Sequence, residues 1–466
     1  LTIDDVKSPA YADVTDPLRV AQQPIVACGS SRRRQMTIDF TMSAHQKAVQ
    51  MKARKFSESV LASMIPDADR ELDLISAFVR RKPAYIEAYR QGIATAMLPS
   101  AYGGAGLSCL DFTIATEEIS AIDPGFACTV LCNGLGLMPI VWYGDEAQKR
   151  RFVGAATSDS DEQYLAAWTA AEPPAATRAA TSFDNPLTAA GIGLTATLRG
   201  DHYVLNGRKK WSSAAGWDGR GSNSQIVIAR TGGEIGCMRG LSAIVVERGT
   251  AGVSCGFPAH KAYRTSTDAL IEFDNAAVPA ENLLRGTESR GDLVVNRNFA
   301  WFGPVAAIAA AGVARSAYEV ALRFSKRYSG RSLPPIRQFE HVGYVLGEVA
   351  AKIESARYFA WRAADYLDKH DHHAEIFGAM CKINVTETMF DCVFKCMQIV
   401  GVHNVDNRYS FNRNLHDAAL LPIFDGGNMA MQRSRVKGVL ADESFNPRAA
   451  MDDESIYFQK PMAATG

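Results

Sequence analysis

The residues best equipped for chemistry lie between Gly200 and Gly216, where Trp211 is followed by the hydroxyls Ser212 and Ser213 among alanines and a glycine. A wide indole with a donor beside it and small neighbours suits a planar heterocycle, which needs a face to stack on and a hydrogen-bond partner at its rim. An ordinary hairpin with a core tryptophan fits the same residues, and both readings stand at this point. Three other constellations invite a ligand. Cys128 and Cys132, like Cys392 and Cys396, are one helical turn apart, but without a histidine or second pair at ligand spacing they read as small core residues. The cluster His370, His372 and His373 falls in a charged break between helices and reads as a solvated loop. Gly191-Ile192-Gly193 through Ala196 nominally fits a dinucleotide fingerprint, yet no strand precedes it and a strand-like stretch follows. No metal site is expected.

These residues need a scaffold, and the period of the apolar residues supplies it. From Ala44 to about Ile93 they recur at three and four, as in Phe56, Val60 and Leu61, which predicts packed amphipathic helices. A glycine-rich turn follows at Leu98 to Gly106, then helices over Asp111–Ser120 and Phe126–Tyr143. Near Asp159 the period drops to two. Strands are predicted over Tyr164–Thr169, Tyr203–Leu205, Gln225–Ala229, Leu241–Val246 and Ala269–Phe273, with a tight hairpin turn at Asn206-Gly207. After Val278-Pro279 the chain returns to helices over Pro304–Arg327, Gln338–Leu367, Ala374–Val400 and Asn428–Val439.

The expected architecture is therefore a multidomain α+β chain. It has an extension over 1–35, an N-terminal helical domain over 36–160, a middle β domain over 161–285, a C-terminal helical bundle over 286–445 and a tail over 446–466. The extension has no helical period and three prolines, so it reads as a disordered arm or a translated leader with Met36 as the start. Length allows a large core. Fifty basic and fifty acidic residues cancel, which gives no argument for nucleic acid or an acidic membrane. The longest apolar runs, such as Val305 to Val313, fall short of a membrane span. Nine scattered cysteines fit a reducing cytoplasm.

The order helices, β domain, helices, with Trp211 in the middle, resembles the acyl-CoA dehydrogenase family of flavoproteins from about Met36 to Asp442. The motifs that carry the likeness are separate. They are Leu98-Pro99 through Gly106-Leu107, Glu172-Pro173, Gly200-Asp201 through Trp211, Arg264-Thr265-Ser266 with Phe273-Asp274 and Val278-Pro279 through Leu283, and Asp417-Ala418 with Ile423-Phe424-Asp425-Gly426-Gly427. The resemblance implies FAD. Trp211 would stack on the flavin and Ser213, where the family usually has threonine, would donate to its N5, with Ser212 alongside. Trp168, Thr169, Ala170 and Ala171 would line the flavin edge through backbone groups. Gly401 and an arginine would serve the cofactor too, the arginine reaching a neighbouring subunit's pyrophosphate. Arg331 is the choice and Arg327 competes, because the segment Arg327 to Arg331 departs from the family pattern.

The chemistry implied by the resemblance is α,β-dehydrogenation of an acyl thioester. A carboxylate removes the α-proton, hydride passes to the flavin, and donors polarise the carbonyl where enolate charge develops. Asp425 stands where most of the family has glutamate, one methylene longer, and Gly426 and Gly427 would let the loop move in beside the substrate. Asp425 also suits the cap of a helix beginning near Asn428. The loop from Pro174 to Pro186 is longer than usual, and its Arg178 is a candidate for a phosphopantetheine phosphate or a solvated surface residue.

Partners implied are an acyl-CoA or acyl-carrier-protein substrate, as in secondary-metabolite pathways, an electron-transfer flavoprotein or other acceptor, and a homotetramer. The alternatives are a flavin-dependent monooxygenase on the same fold and a catalytically silent acyl-carrier-binding scaffold.

Overall fold

Side-chain caps open most of the N-terminal helices. Ser43 accepts from the Gln46 N–H (3.1 Å) while the Gln46 side chain accepts from the Ser43 N–H (2.8 Å), starting α1 (Ala44–Phe56). The structure, a computed structural model, describes residues 40–65, 73–173, 192–233, 239–329, 333–370 and 375–448. Arg178, Arg331, His372, His373, the 1–35 extension and the chain after residue 448 lie outside the described residues. Next come α2 (Leu74–Val79), α3 (Lys82–Arg90), α4 (Cys109–Ser120) and α5 (Pro124–Tyr143). Asp123 caps α5 by accepting from Phe126 N–H (3.0 Å) and pairs with the fully buried Arg81 at 3.0 Å.

The middle of the chain is one seven-stranded sheet. Its strands are β1 (Ala166–Thr169), β2 (Thr195–Arg199), β3 (His202–Ser213), β4 (Ser224–Arg230), β5 (Leu241–Glu247), β6 (Val253–Gly256) and β7 (Asp268–Pro279). The order is β1-β4-β2-β3-β7-β6, with β5 on β4, and β1 runs parallel to β4. The expected turn at Asn206-Gly207 is corrected. Chain reversal occurs six residues earlier, at Gly200-Asp201 (Gly200 φ 62°), and β3 runs unbroken through Asn206 and Gly207 for 12 residues. Gly207 instead sits at a bulge against β7, with φ 139°, and a Cβ there would meet the Leu194 Cα at 3.0 Å. The nominal dinucleotide stretch leads into β2 rather than a helix.

The rest is helical: α6 (Gly291–Arg327), α7 (Glu340–His370), α8 (Glu375–Val400), α9 (Phe411–Leu420) and α10 (Arg433–Leu440). The alanine-rich α6 is the central shaft, buried almost continuously from Asn298 to Ala314. By length and composition α5 and α6 could each cross a membrane, but 89% and 67% of their apolar windows are buried inside this fold. Their apolarity belongs to the core. Charge ties the two helical regions together. The buried Glu117 and Glu118 of α4 receive Arg315 of α6 (3.0 and 2.8 Å), and Arg357 of α7 adds 2.7 Å to Glu117. Those carboxylates are paired several times over, which is what buried charge requires.

Candidate active site

One cavity of about 520 Å³ gathers most of the residues singled out by the sequence. Trp168, Ala170 and Ala171 come from β1 and the segment after it, Trp211 and Ser213 from β3, and Asp425, Gly426 and Gly427 from the loop after α9. Sequence reasoning missed the rest of the wall. Cys128, Cys132 and Leu135 of α5, Phe299 of α6, and His260 and Tyr263 before β7 belong to it. The cysteine spacing was visible in the sequence, but its facing a cavity rather than plain core was not.

Trp211 reaches the cavity because the pairing of β3 with β7 bulges there. Lys210 pairs with Leu270 and Ser212 with Ala269, so Trp211 is the extra residue of a bulge. Its φ of 66° turns the indole out of the sheet's alternation, and it stays 49% exposed with Lys210 Nζ 4.4 Å from the ring centroid. A large exposed ring held in a costly backbone conformation fits a face kept free for a planar ligand. Replacing Trp211 by alanine is expected to weaken flavin binding about tenfold, read as the flavin-to-protein absorbance ratio after gel filtration. Unchanged flavin content would remove the stacking role.

Thr169 and Ser212 lie behind the wall. Thr169 Oγ1 and Ser212 Oγ are 2.6 Å apart, and Ser212 Oγ donates to Trp168 O (3.0 Å), so they hold β1 against β3. Ser213 faces the cavity, but its hydroxyl donates to Asp268. A hydroxyl has one proton and two lone pairs. Ser213 therefore presents lone pairs to a ligand unless it turns away from Asp268. Beneath Ala170 and Ala171 lies a sealed ion pair. Lys209 Nζ donates to Glu172 Oε1 and to Ala170 O, both at 2.9 Å, while Glu172 also accepts from Gly193 N–H (3.0 Å) and Leu194 N–H (2.9 Å). Glu172 of the Glu-Pro motif thus holds the wall rather than facing the cavity.

Asp425 lies on a turn built from two left-handed residues, Asp425 at φ 51° and Gly426 at φ 67°. Gly426 is tightly enclosed, and a Cβ there would come within 3.2 Å of Phe299 and Met431. The helical turn over Asn428–Gln432 begins at Gly427 with no side-chain cap, so Asp425 does not serve as its cap. Gln432 Nε2 instead holds the Asp425 carbonyl (3.1 Å), and Asn428 N–H closes the loop on Pro422 O (2.8 Å). The residue as a whole is half-buried, yet its Oδ2 is sealed from water and has no hydrogen-bond partner among the described residues. Burial pushes the carboxyl up to about 6, against the opposing pull of Lys382 and Arg435. Asp417 of α9 accepts from Tyr263 N–H (2.7 Å), which sets Tyr263 edge-on to Phe424 at 5.6 Å.

Arg327 and Gly401 are elsewhere. Arg327 ends α6, next to Tyr328, and Gly401 follows α8. Phe324, Tyr328, His341, Lys395, Gly401 and His403 line a second cavity of about 570 Å³.

The first cavity fits FAD. A half-exposed indole, a hydroxyl at its edge and the backbone of Ala170 and Ala171 offer stacking and rim contacts, with Asp425 in the same space.

Residues 43–160 match the sequence model of the acyl-CoA dehydrogenase N-terminal domain and residues 289–440 that of its C-terminal domain. Nitroalkane oxidase of Fusarium oxysporum is 27% identical over 434 residues, covering 89% of this chain and 97% of that protein. A solved nitroalkane oxidase, an active-site aspartate-to-asparagine variant crystallised with 1-nitrooctane, superposes with a TM-score of 0.82 at 26% identity, covering 90% of this chain and all of that one. Butyryl-CoA dehydrogenase from Megasphaera elsdenii superposes with a TM-score of 0.77 at 26% identity, covering 87% of this chain and all of its own.

Proposed function

Because the chain belongs to the acyl-CoA dehydrogenase family of FAD-dependent oxidoreductases, we propose that it oxidises a small carbon acid, with Asp425 as the base that removes the α-proton. The observation that carries this reading is the Asp425 carboxylate, whose Oδ2 is sealed from water and has no hydrogen-bond partner among the described residues, in the same cavity as the half-exposed indole of Trp211. FAD, when bound, supplies the acceptor for the two electrons. The chain's own part is to strip water from the base, hold the reacting carbon between walls of α5 and β3, and offer lone pairs at Ser213.

The substrate class favoured here is a short nitroalkane. Its α-proton is far more acidic than that of a thioester, so a short aspartate whose carboxyl sits near 6 suffices as base. The replaced active-site aspartate of nitroalkane oxidase supports the same choice. The second reading is an acyl thioester such as butyryl-CoA, supported by the likeness to butyryl-CoA dehydrogenase over that protein's whole length. That reading brings with it CoA or a carrier protein as the acyl carrier, an electron-transferring flavoprotein as acceptor, and a homotetramer.

Anaerobic mixing of the FAD-loaded protein with neutral 1-nitrobutane or with butyryl-CoA separates the two. Bleaching by the nitroalkane alone supports the first reading, bleaching by the thioester alone supports the second, and bleaching by neither sinks the carbon-acid proposal. The same half-reaction should depend on pH in one direction. The base must be ionised, so the rate is expected to rise as pH passes through about 6 and to level off above it, read by stopped-flow absorbance. A rate falling across that range would contradict an Asp425 base.

A further inference from the structure

A second buried charge lies beside the Asp425 loop, and the chemistry so far gives it no task. Lys382 is on α8, and its side chain is fully buried. Its Nζ donates to Leu421 O (3.3 Å) and to Asn428 Oδ1 (3.1 Å), and lies 5.8 Å from the centroid of the Phe424 ring. These three partners bracket Asp425, with one before the loop, one within it and one after. Asn428 is itself held in place by donating to Thr386 Oγ1 (2.9 Å) and Glu387 Oε1 (3.2 Å), one turn along the same helix.

Both acceptors of Lys382 are neutral. Among the described residues no carboxylate lies within ion-pair distance of it, which is unusual for an ammonium so deeply buried. A neutral amide could donate the same two hydrogen bonds at far lower desolvation cost. What the ammonium adds is charge. Of the two carboxylates whose charge acts on it, Asp425 has an oxygen, Oδ2, that accepts no hydrogen bond among the described residues. Glu387 of α8 is held by Arg433 (3.0 Å), and Arg435 of α10, which also acts on Asp425, donates to Asn296 O (2.9 Å) and Gln432 Oε1 (3.3 Å). From the other walls, Cys132 of α5 is held protonated by its hydrogen bond with Cys128 and by burial, and Tyr263 by burial, with the Asp425 charge adding to both, while His260, Lys261, Asp268 and His416 line the same cavity.

We infer that Lys382 is a positioning residue for the base: it pins loop 421–428 at both ends and sets its ammonium beside the turn that carries Asp425. This rests on Asp425 being the base. The coupling is reciprocal, since each charge must favour the other by the same amount. Burial lowers Lys382 to about 8, while Asp425 and Glu387 pull it back up.

The test uses the FAD-loaded protein. Infrared titration with ¹³C-labelled aspartate follows the Asp425 carboxyl band, which Asp425→Asn identifies by abolishing it. In Lys382→Gln, which keeps a donor but loses the charge, the Asp425 midpoint should rise by about 1–3 pH units. Flavin reduction by 1-nitrobutane or butyryl-CoA near neutral pH should then fall roughly tenfold and recover at higher pH. Lys382→Arg, which keeps the charge, should stay near the parent.

The reciprocal measurement needs no change at Lys382. By ¹³Cε-lysine resonance, the Lys382 midpoint should drop in Asp425→Asn by the amount that Asp425 rises in Lys382→Gln. An unchanged Asp425 midpoint in Lys382→Gln, or an unchanged Lys382 midpoint in Asp425→Asn, overturns the inference. The base reading itself fails on a different result, flavin reduction by Asp425→Asn at the parental rate.

Discussion

Asp425→Asn is expected to slow flavin reduction by the carbon acid about a thousandfold while leaving FAD bound. The amide has the shape of the carboxyl but cannot take a proton, and Trp211, Ala170 and Ala171, which would hold the flavin, are untouched. Stability should move the other way. The folded chain holds the Asp425 proton more tightly than the unfolded chain, with the group raised from 3.8 to about 6. Between those values the native state binds more protons, so stability is lost as pH rises through that window. At neutral pH the buried carboxylate costs on the order of 3 kcal/mol, which the asparagine does not incur. Thermal melting at neutral pH is therefore expected to hold or rise in the variant. A variant that melts lower and still bleaches at the parental rate would contradict both halves of this expectation.

Lys209→Met should be the most damaging single change outside the catalytic loop. Lys209 is fully buried and Glu172 nearly so, and removing the lysine leaves a carboxylate under the β1 wall whose remaining partners among the described residues are the Gly193 and Leu194 N–H groups. Breaking a buried pair from one side costs about 3–5 kcal/mol. The loss should appear as a lower denaturant midpoint and as reduced FAD content, because Ala170 loses the ammonium that holds its carbonyl. Glu172→Gln combined with Lys209→Met should recover much of the loss. A double variant no better than the single one would show that the charge left behind is not the cause.

Much of this was legible in the chain itself, and the exceptions have physical causes. The apolar periods located the helices and strands that carry Trp168, Trp211 and Asp425 to one cavity. The start of α6 was missed, because Gly303-Pro304 reads as a stop and the helix begins 13 residues earlier, at Gly291. Pro304 has no N–H for the Ala300 carbonyl. Gly378 of α8 packs there so closely that a Cβ would come within 2.3 Å of that oxygen, so tertiary packing holds a helix that local propensity would end. Asn206-Gly207 carries a turn signature, but pairing with β7 on the far side absorbs it into a strand. Strand β6 is a four-residue edge of alternating exposure, too short to stand out. Lys382 and Lys209 were invisible as functional positions for another reason. Each is a lysine in an unremarkable stretch whose partners lie about 40 residues away in sequence, and only the folded chain reveals that no water reaches them.

The shaft of α6 sets a length scale that the two cavities cannot escape. Phe299 borders one and Phe324 the other, and 25 helical residues span about 37 Å. That outreaches an extended dinucleotide, so a cofactor seated at the Phe299 end of the shaft does not extend to its Phe324 end in the same polypeptide. If Arg327 and Gly401 do grip a cofactor, it is anchored in a different copy of the chain, and diluting the protein would loosen the flavin with no change in any residue that touches it.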